Sequence, residues 1–274
     1  MSYAAFMVQL DIEGSNDARL RIAGDLAERF DAKLIGITAC CSTPPSYAAS
    51  FIPGDLIAAD MAHVRKRMAE TEERFRETVG KRVAQIEWRQ SNSMPNEFVA
   101  REARAADVLI AGAKRSGEIV DPLRMLDTSD LVMEAGRPVV VVPPEAEALR
   151  ADRILVGWKD TRESRRAVLD ALPMLKRADH VLVAEVLEDE ERKLAERRVD
   201  DVVHWLVRHG VVAVGEVASS EGDAATKIAE LAALERTDLI VAGAYGHSRW
   251  REWVMGGVTR DLVMRSNRCA LLSH

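Results

Sequence analysis

Cysteine, aromatic residues and long apolar runs are all scarce in this chain of 274 residues. Its three cysteines, two of them adjacent (Cys40 and Cys41), are too few for a disulfide framework and have no metal-ligand spacing, so thiols in the core or at strand ends are expected. No apolar run approaches the roughly 20 residues needed to cross a bilayer, which argues against a membrane span. The opening Met-Ser-Tyr-Ala-Ala-Phe has no basic region followed by an apolar core, so secretion is not expected and the cytoplasm is the expected compartment. Positive charge is also in deficit. The formal net charge of −6 is spread through helix-like segments, which favours solubility and argues against a general affinity for nucleic acid. Arg65-Lys66-Arg67 reads as a solvated helix face. Catalytic patterns are lacking as well: Ser164, Ser248 and Ser266 have no G-x-S-x-G setting, and His204 and His209 lie five apart, so they do not share one helical face as two metal ligands would.

What is present is alternation. Hydrophobic content of 47% with 30% charged residues describes a globular chain, and its length suits two domains, each able to bury a core. Ala4 to Asp11 reads as a strand. Ser15-Asn-Asp-Ala then opens a helix with Leu20, Ile22, Ala23, Leu26, Ala27 and Phe30 on one side. Strands follow at Lys33 to Cys41, Val83 to Gln90, Val108 to Ala113 and Val139 to Val142. They are separated by a long charged helix over about Leu56 to Val79, a helix from Pro95 to Ala105 and a short one near Ser129 to Ala135. Glu145 to Asp152 is a linker, and the same order then restarts. Ile154 to Trp158 is strand one, Ala167, Val168, Ala171, Leu172 and Leu175 mark the first helix, and Val181 to Leu187 is strand two. Glu188 to Arg208 is the charged helix, with Leu194, Val199, Val202, Val203 and Leu206 expected inside. Val211 to Ala218, Asp223 to Glu235, Leu239 to Ala242 and Cys269 to Leu272 complete it. Two domains, 1–145 and 152–274, each read β-α-β-α-β-α-β-α-β.

Strands separated by helices of this length must run parallel, with ligands bound beyond their carboxyl ends where the strand order reverses. The ends of strands one and four form that lip: Asp11 and Gly112 to Arg115 in the first half, Lys159-Asp160 and the segment after Ala242 in the second. Fifth strands that are apolar throughout would be exposed edges in isolated halves, so Val139 to Val142 and Ala270 to Leu272 are expected to pair. After strand four of the second half the glycines fall at Gly243, Gly246 and Gly256-Gly257, and an amphipathic segment follows. Glycine allows close backbone approach and the first N–H groups of a helix attract anions, so a phosphate-holding loop and an ordinary strand-to-helix connection both fit.

A strand ending in Gly-x2-Gly-x9-Gly, set in a half of this order and used twice, resembles the universal stress protein family in its tandem form. The second half is the closer match, through Ile154-Leu-Val-Gly-Trp-Lys-Asp-Thr and the loop glycines. The resemblance implies an α/β fold of two doubly wound five-stranded parallel sheets, order 3-2-1-4-5, joined through their fifth strands as a pseudo-dimer. It also implies ATP over the strand ends, with ADP or AMP and a magnesium ion as variants. Carried over, Gly243, Gly246 and Gly256 line the triphosphate and Val186 offers backbone to adenine. Two positions depart from the pattern. Lys159 stands where the family has an aspartate, with Asp160 one step on; Gly257 replaces a serine or threonine, with Thr259 in the same helical turn. His247 lies inside the loop, either against a ligand or exposed. Trp250 and Trp253 either anchor the loop or cover a partner surface. The first half keeps Asp11, but Arg115 stands in place of the second glycine and Asp121-Pro122 breaks the stretch leading to the last helix, so this half reads as structural, with Lys114 and Arg115 as phosphate ligands the alternative. The expected function is nucleotide-dependent stress response or signalling through an unidentified protein partner, with at most weak ATP hydrolysis; the alternative is an interaction scaffold that binds no nucleotide. Association into a homodimer stays open.

Overall fold

A computed structural model describes residues 2–42, 54–113, 121–187, 192–219, 223–244, 258, 261–262 and 267–274. The chain divides into two compact units, one of Tyr3–Arg137 and the other built on Pro138–His274. In the first, β1 (Ala5–Gln9) pairs in parallel with β2 (Lys33–Ala39) and β4 (Val108–Gly112), and β2 with β3 (Ile86–Ser91), giving the order β3-β2-β1-β4. Four helices alternate with them: α1 (Asp17–Phe30), α2 (Gly54–Val79), α3 (Pro95–Glu102) and α4 (Thr128–Glu134). The apolar stripe of α1 is buried at every expected position, Leu20, Ile22, Ala23, Leu26, Ala27 and Phe30, because that spacing puts them on one face. Phe30 closes the stripe edge-on against Tyr3, ring centroids 5.0 Å apart.

The second unit contains β5 (Val139–Val142), β6 (Arg153–Trp158), α5 (Arg162–Leu175), β7 (His180–Leu187), α6 (Arg192–Arg208), β8 (Ala213–Ser219), α7 (Ala224–Leu234), β9 (Leu239–Gly243) and β10 (Cys269–Ser273). Parallel pairing of β8 with β7, β7 with β6, β6 with β9 and β9 with β10 gives the order 3-2-1-4-5 in repeat numbering. β10 also pairs antiparallel with β5 (Leu271 opposite Val140), so the two fifth strands cover each other's edges as the edge argument requires. The unit boundary accordingly falls before Pro138, ahead of β5, which closes the first repeat in chain order. The fold is α/β, built from two repeats with mainly parallel strands.

The buried face of α6 differs from expectation. Ala195, Val199 and Leu206 are buried, Val202 and Val203 are half-buried, and Leu194 is 51% exposed. Gly215 of β8 sets this rotation, since a Cβ there would lie 2.5 Å from Val199 Cγ1. Val199 therefore rests on the strand backbone. At about 100° per residue, Ala195 falls close to that contact line and Leu194 roughly 140° away from it.

One device recurs in both repeats. Asp107, just ahead of β4, accepts hydrogen bonds from the Ala4 and Ala5 backbone N–H groups (2.6 and 3.0 Å), and Asp238, just ahead of β9, accepts from Asp152 and Arg153 (3.1 and 3.3 Å). Each ties the start of strand one to strand four. Burial pushes the Asp238 carboxyl above the usual carboxylate range, and the two backbone donors only partly counter it. A raised folded-state pKa contributes stability that is complete at low pH and is lost as pH rises through that pKa. The stability advantage of the native chain over Asp238→Asn should thus shrink as pH rises through the carboxylate range. Urea unfolding of both at several pH values reads this, and a gap that widens with pH would contradict it.

Candidate functional site

The carboxyl ends of β7, β6 and β9 lie side by side in the second unit. Trp158 is level with Glu185, and Gly157 with Ala242, so one residue further along Lys159 stands beside Val186, and Gly243 stands level with Trp158. The sequence-predicted residues Val186, Lys159, Asp160 and Gly243 are thus brought to one lip; Gly246, His247, Gly256, Gly257 and Thr259 lie outside the described residues, as do Lys114, Arg115, Trp250 and Trp253. Lys159 and Asp160 are exposed, Val186 and Gly243 half-buried. Beside Val186, Glu185 is buried and takes a bidentate interaction from Arg198 of α6, which fixes that helix to the strand end.

The turn from β6 into α5 is built by Thr161. It caps α5 by accepting a hydrogen bond from Ser164 N–H (3.3 Å), and its own N–H donates to the Lys159 carbonyl (2.7 Å). Glu163 is buried in the first turn. Burial pushes its carboxyl up, but hydrogen bonds from Arg162, its own backbone N–H and Thr161 outweigh this and hold it below the usual range. The reason for glycine at 243 was not legible in the sequence. A Cβ there would lie 2.5 Å from Ser164 N and 2.7 Å from the Glu163 carbonyl carbon, so the first turn of α5 rests directly on the end of β9. That contact holds a helix N-terminus at the lip.

The matching lip of the first unit is built differently. Counting from the glycine that ends strand four, Gln9 corresponds to Gly157, Asp11 to Lys159, and the third helical residue Arg19 to Ser164. Arg19 is 7% exposed. Its Nη1 donates to the Gln9 carbonyl (3.0 Å) and Gln9 Oε1 (2.5 Å), and its Nη2 to Asp11 Oδ2 (2.6 Å) and the Ser15 carbonyl (3.4 Å). Gln9 Nε2 donates to Asp11 Oδ1 (2.8 Å), and Asn16, instead of capping α1 with its side chain, bonds both backbone groups of Asp11. Sequence reasoning missed Arg19, although a cation in the first turn of a helix opposes the helix dipole and so calls for a carboxylate partner. The two lips also differ in charge: 159–166 carries net +2, and its counterpart 11–21 carries net −1.

Residues 150–272 match the family model described as the universal stress protein family. The second half of this chain is a universal stress protein domain. A universal stress protein from Archaeoglobus fulgidus is similar over 98% of this chain and 95% of its own, at 15% identity and a TM-score of 0.75. A functionally unknown protein from Pseudomonas aeruginosa PAO1 is similar over 99% of this chain and 92% of its own, at 14% identity and a TM-score of 0.58. At such identities the likeness establishes the fold, and it extends the arrangement of the universal stress protein domain to the first repeat. No curated protein matches the sequence. Among the described residues no helix is long and apolar enough to cross a membrane.

Proposed function

We propose that this is a cytoplasmic stress-response or signalling protein that binds an adenine nucleotide, ATP, in its universal stress protein domain, and that the nucleotide sets the conformation of the loop between Gly246 and Gly256 presented to a protein partner. The observation that carries the reading is the juxtaposition of Gly243, Lys159 and Val186 at adjacent strand ends, beside the first turn of α5, with the glycine series next in the chain. A net positive lip favours a polyanion. Lys159 supplies the cation to phosphate, Val186 supplies backbone to the base, and Asp160, His247, Gly257 and Thr259 complete the surround. ADP or AMP, and magnesium with the phosphates, fit the same arrangement. The proposed role is binding, with ATP hydrolysis slow at most.

Mass spectrometry of the gently denatured protein, together with calorimetry against ATP and AMP, tests this. Nucleotide should co-purify or bind below millimolar concentration, and Gly246→Arg, which copies the residue at that place in the first repeat, should abolish binding with the fold intact. Failure of both nucleotides to bind would favour the second reading, a scaffold of the same fold without ligand, for which Lys159 in the aspartate position is the specific observation.

A further inference from the structure

We infer that the first unit is closed to ligand by its own side chains, the Arg19 guanidinium beyond the end of β1 and the Asp127 carboxylate at the start of α4. The cationic pole lies beyond β1. There Asp11, Gln9 and the Ser15 carbonyl accept hydrogen bonds from both terminal nitrogens of a guanidinium that is itself more than nine-tenths buried. A guanidinium Nη carries two hydrogens, and each Nη of Arg19 already donates twice. A ligand phosphate arriving there would have to break a hydrogen-bonded ion pair whose cation is buried before gaining anything, and breaking such a pair one partner at a time is costly. The same guanidinium lies over Gly112 at the end of β4, its Cζ 3.4 Å from where a Cβ would be, so the glycine that faces the helix backbone in the second unit faces a side chain here.

The anionic pole is the start of α4. Asp127 caps it, its Oδ1 accepting from Ser129 N–H (2.8 Å), and it is held by two bonds with Asn96 of α3 (2.8 Å each). Thr128 Oγ1 donates to the Gly112 carbonyl (2.6 Å), drawing the helix start onto the strand end. The carboxylate already takes the Ser129 N–H and repels a second anion. In the second repeat the residue at the same distance ahead of the fifth strand is Gly257, which brings no carboxylate. Gly157, Lys159 and Ser164 likewise cannot reproduce the Gln9–Asp11–Arg19 set. The asymmetry between the repeats therefore lies in four matched positions, Gln9 and Gly157, Asp11 and Lys159, Arg19 and Ser164, Asp127 and Gly257.

Nitrogen-resolved NMR of the full chain tests this whether or not the second unit binds nucleotide. The Arg19 guanidinium N–H signals should exchange slowly in the ligand-free protein at neutral pH and become fast-exchanging in Asp11→Ala. On titration with millimolar ATP, the amides of residues 9–11, 112 and 127–129 should not shift. Fast exchange of Arg19 in the native chain, or ATP-dependent shifts of those amides, would overturn the inference; should Asp11→Ala fail to fold, the two native-chain measurements still decide it. Silence of the second-unit amides in the same titration would instead count against nucleotide binding there, so the two readings fail separately.

Discussion

Gly243→Ala is expected to lower the unfolding free energy by about 3 kcal/mol, and Gly112→Ala, its counterpart in the other repeat, by about 1 kcal/mol or less. Both glycines end a fourth strand as the second residue of an Ala-Gly pair, and a propensity argument would treat them alike. Their surroundings separate them. The new methyl group at 243 would meet backbone, Ser164 N at 2.5 Å and the Glu163 carbonyl carbon at 2.7 Å, and neither can move unless the first turn of α5 lifts off the strand. At 112 it would meet the Arg19 guanidinium at 3.4 Å, an ordinary van der Waals contact. Alanine also removes some freedom from the unfolded chain, about 0.4–1 kcal/mol in its favour at either site, which cancels in the comparison. Urea unfolding of the two variants measures the difference directly, and equal costs would show that α5 does not rest on β9 as described. Because α5 supplies the helix end at the lip proposed to hold nucleotide, Gly243→Ala should weaken the proposed ATP binding as well, by displacing that end.

Arg19→Met should cost about 3 kcal/mol, the lower end of what removing one partner from a buried pair costs, because Asp11 keeps 29% of its side-chain surface exposed to water. Methionine preserves most of the stem and its packing, so the loss reports the stranded Asp11 carboxylate and Gln9 side chain. The double variant Arg19→Met with Asp11→Asn should recover part of the cost, since the uncompensated charge is gone. Additive costs in that cycle would show the two groups to be energetically independent. The effect should vary little with salt, unlike that of an exposed pair such as Arg74 with Asp17, because buried charges are screened less.

Much of the architecture was written locally. The stripes of α1 and α5 are buried position by position, and the apolar runs of β4, β5 and β9 became covered strands, because side-chain period and flanking residues suffice to choose helix or strand. The pairing of the fifth strands also followed from sequence, since two uncovered apolar edges leave few alternatives. The face of α6 was legible except at its start. Leu194 was expected inside, but it lies about 140° from Val199 around the helix, and Ala195, which shares the line of Val199 over Gly215, is buried instead. The candidate site divides in the same manner. Lys159, Asp160, Val186 and Gly243 were legible as strand ends, whereas the Arg19 network was not, because it joins a strand, a turn and a helix through side-chain hydrogen bonds that no periodicity encodes.

Element order, the doubled repeat and the carboxyl-end lip were thus settled by the amino-acid order, since period, turn residues and the parallel-crossover rule act over short stretches of chain. Tertiary packing decided how Gly112, Gly215 and Gly243 are used, and that the first repeat buries the Arg19 guanidinium against Gln9 and Asp11 where the second repeat has Gly157 and Lys159. Those outcomes depend on which groups meet across distant segments, and a buried charge finds its partner only once the fold has brought the two together.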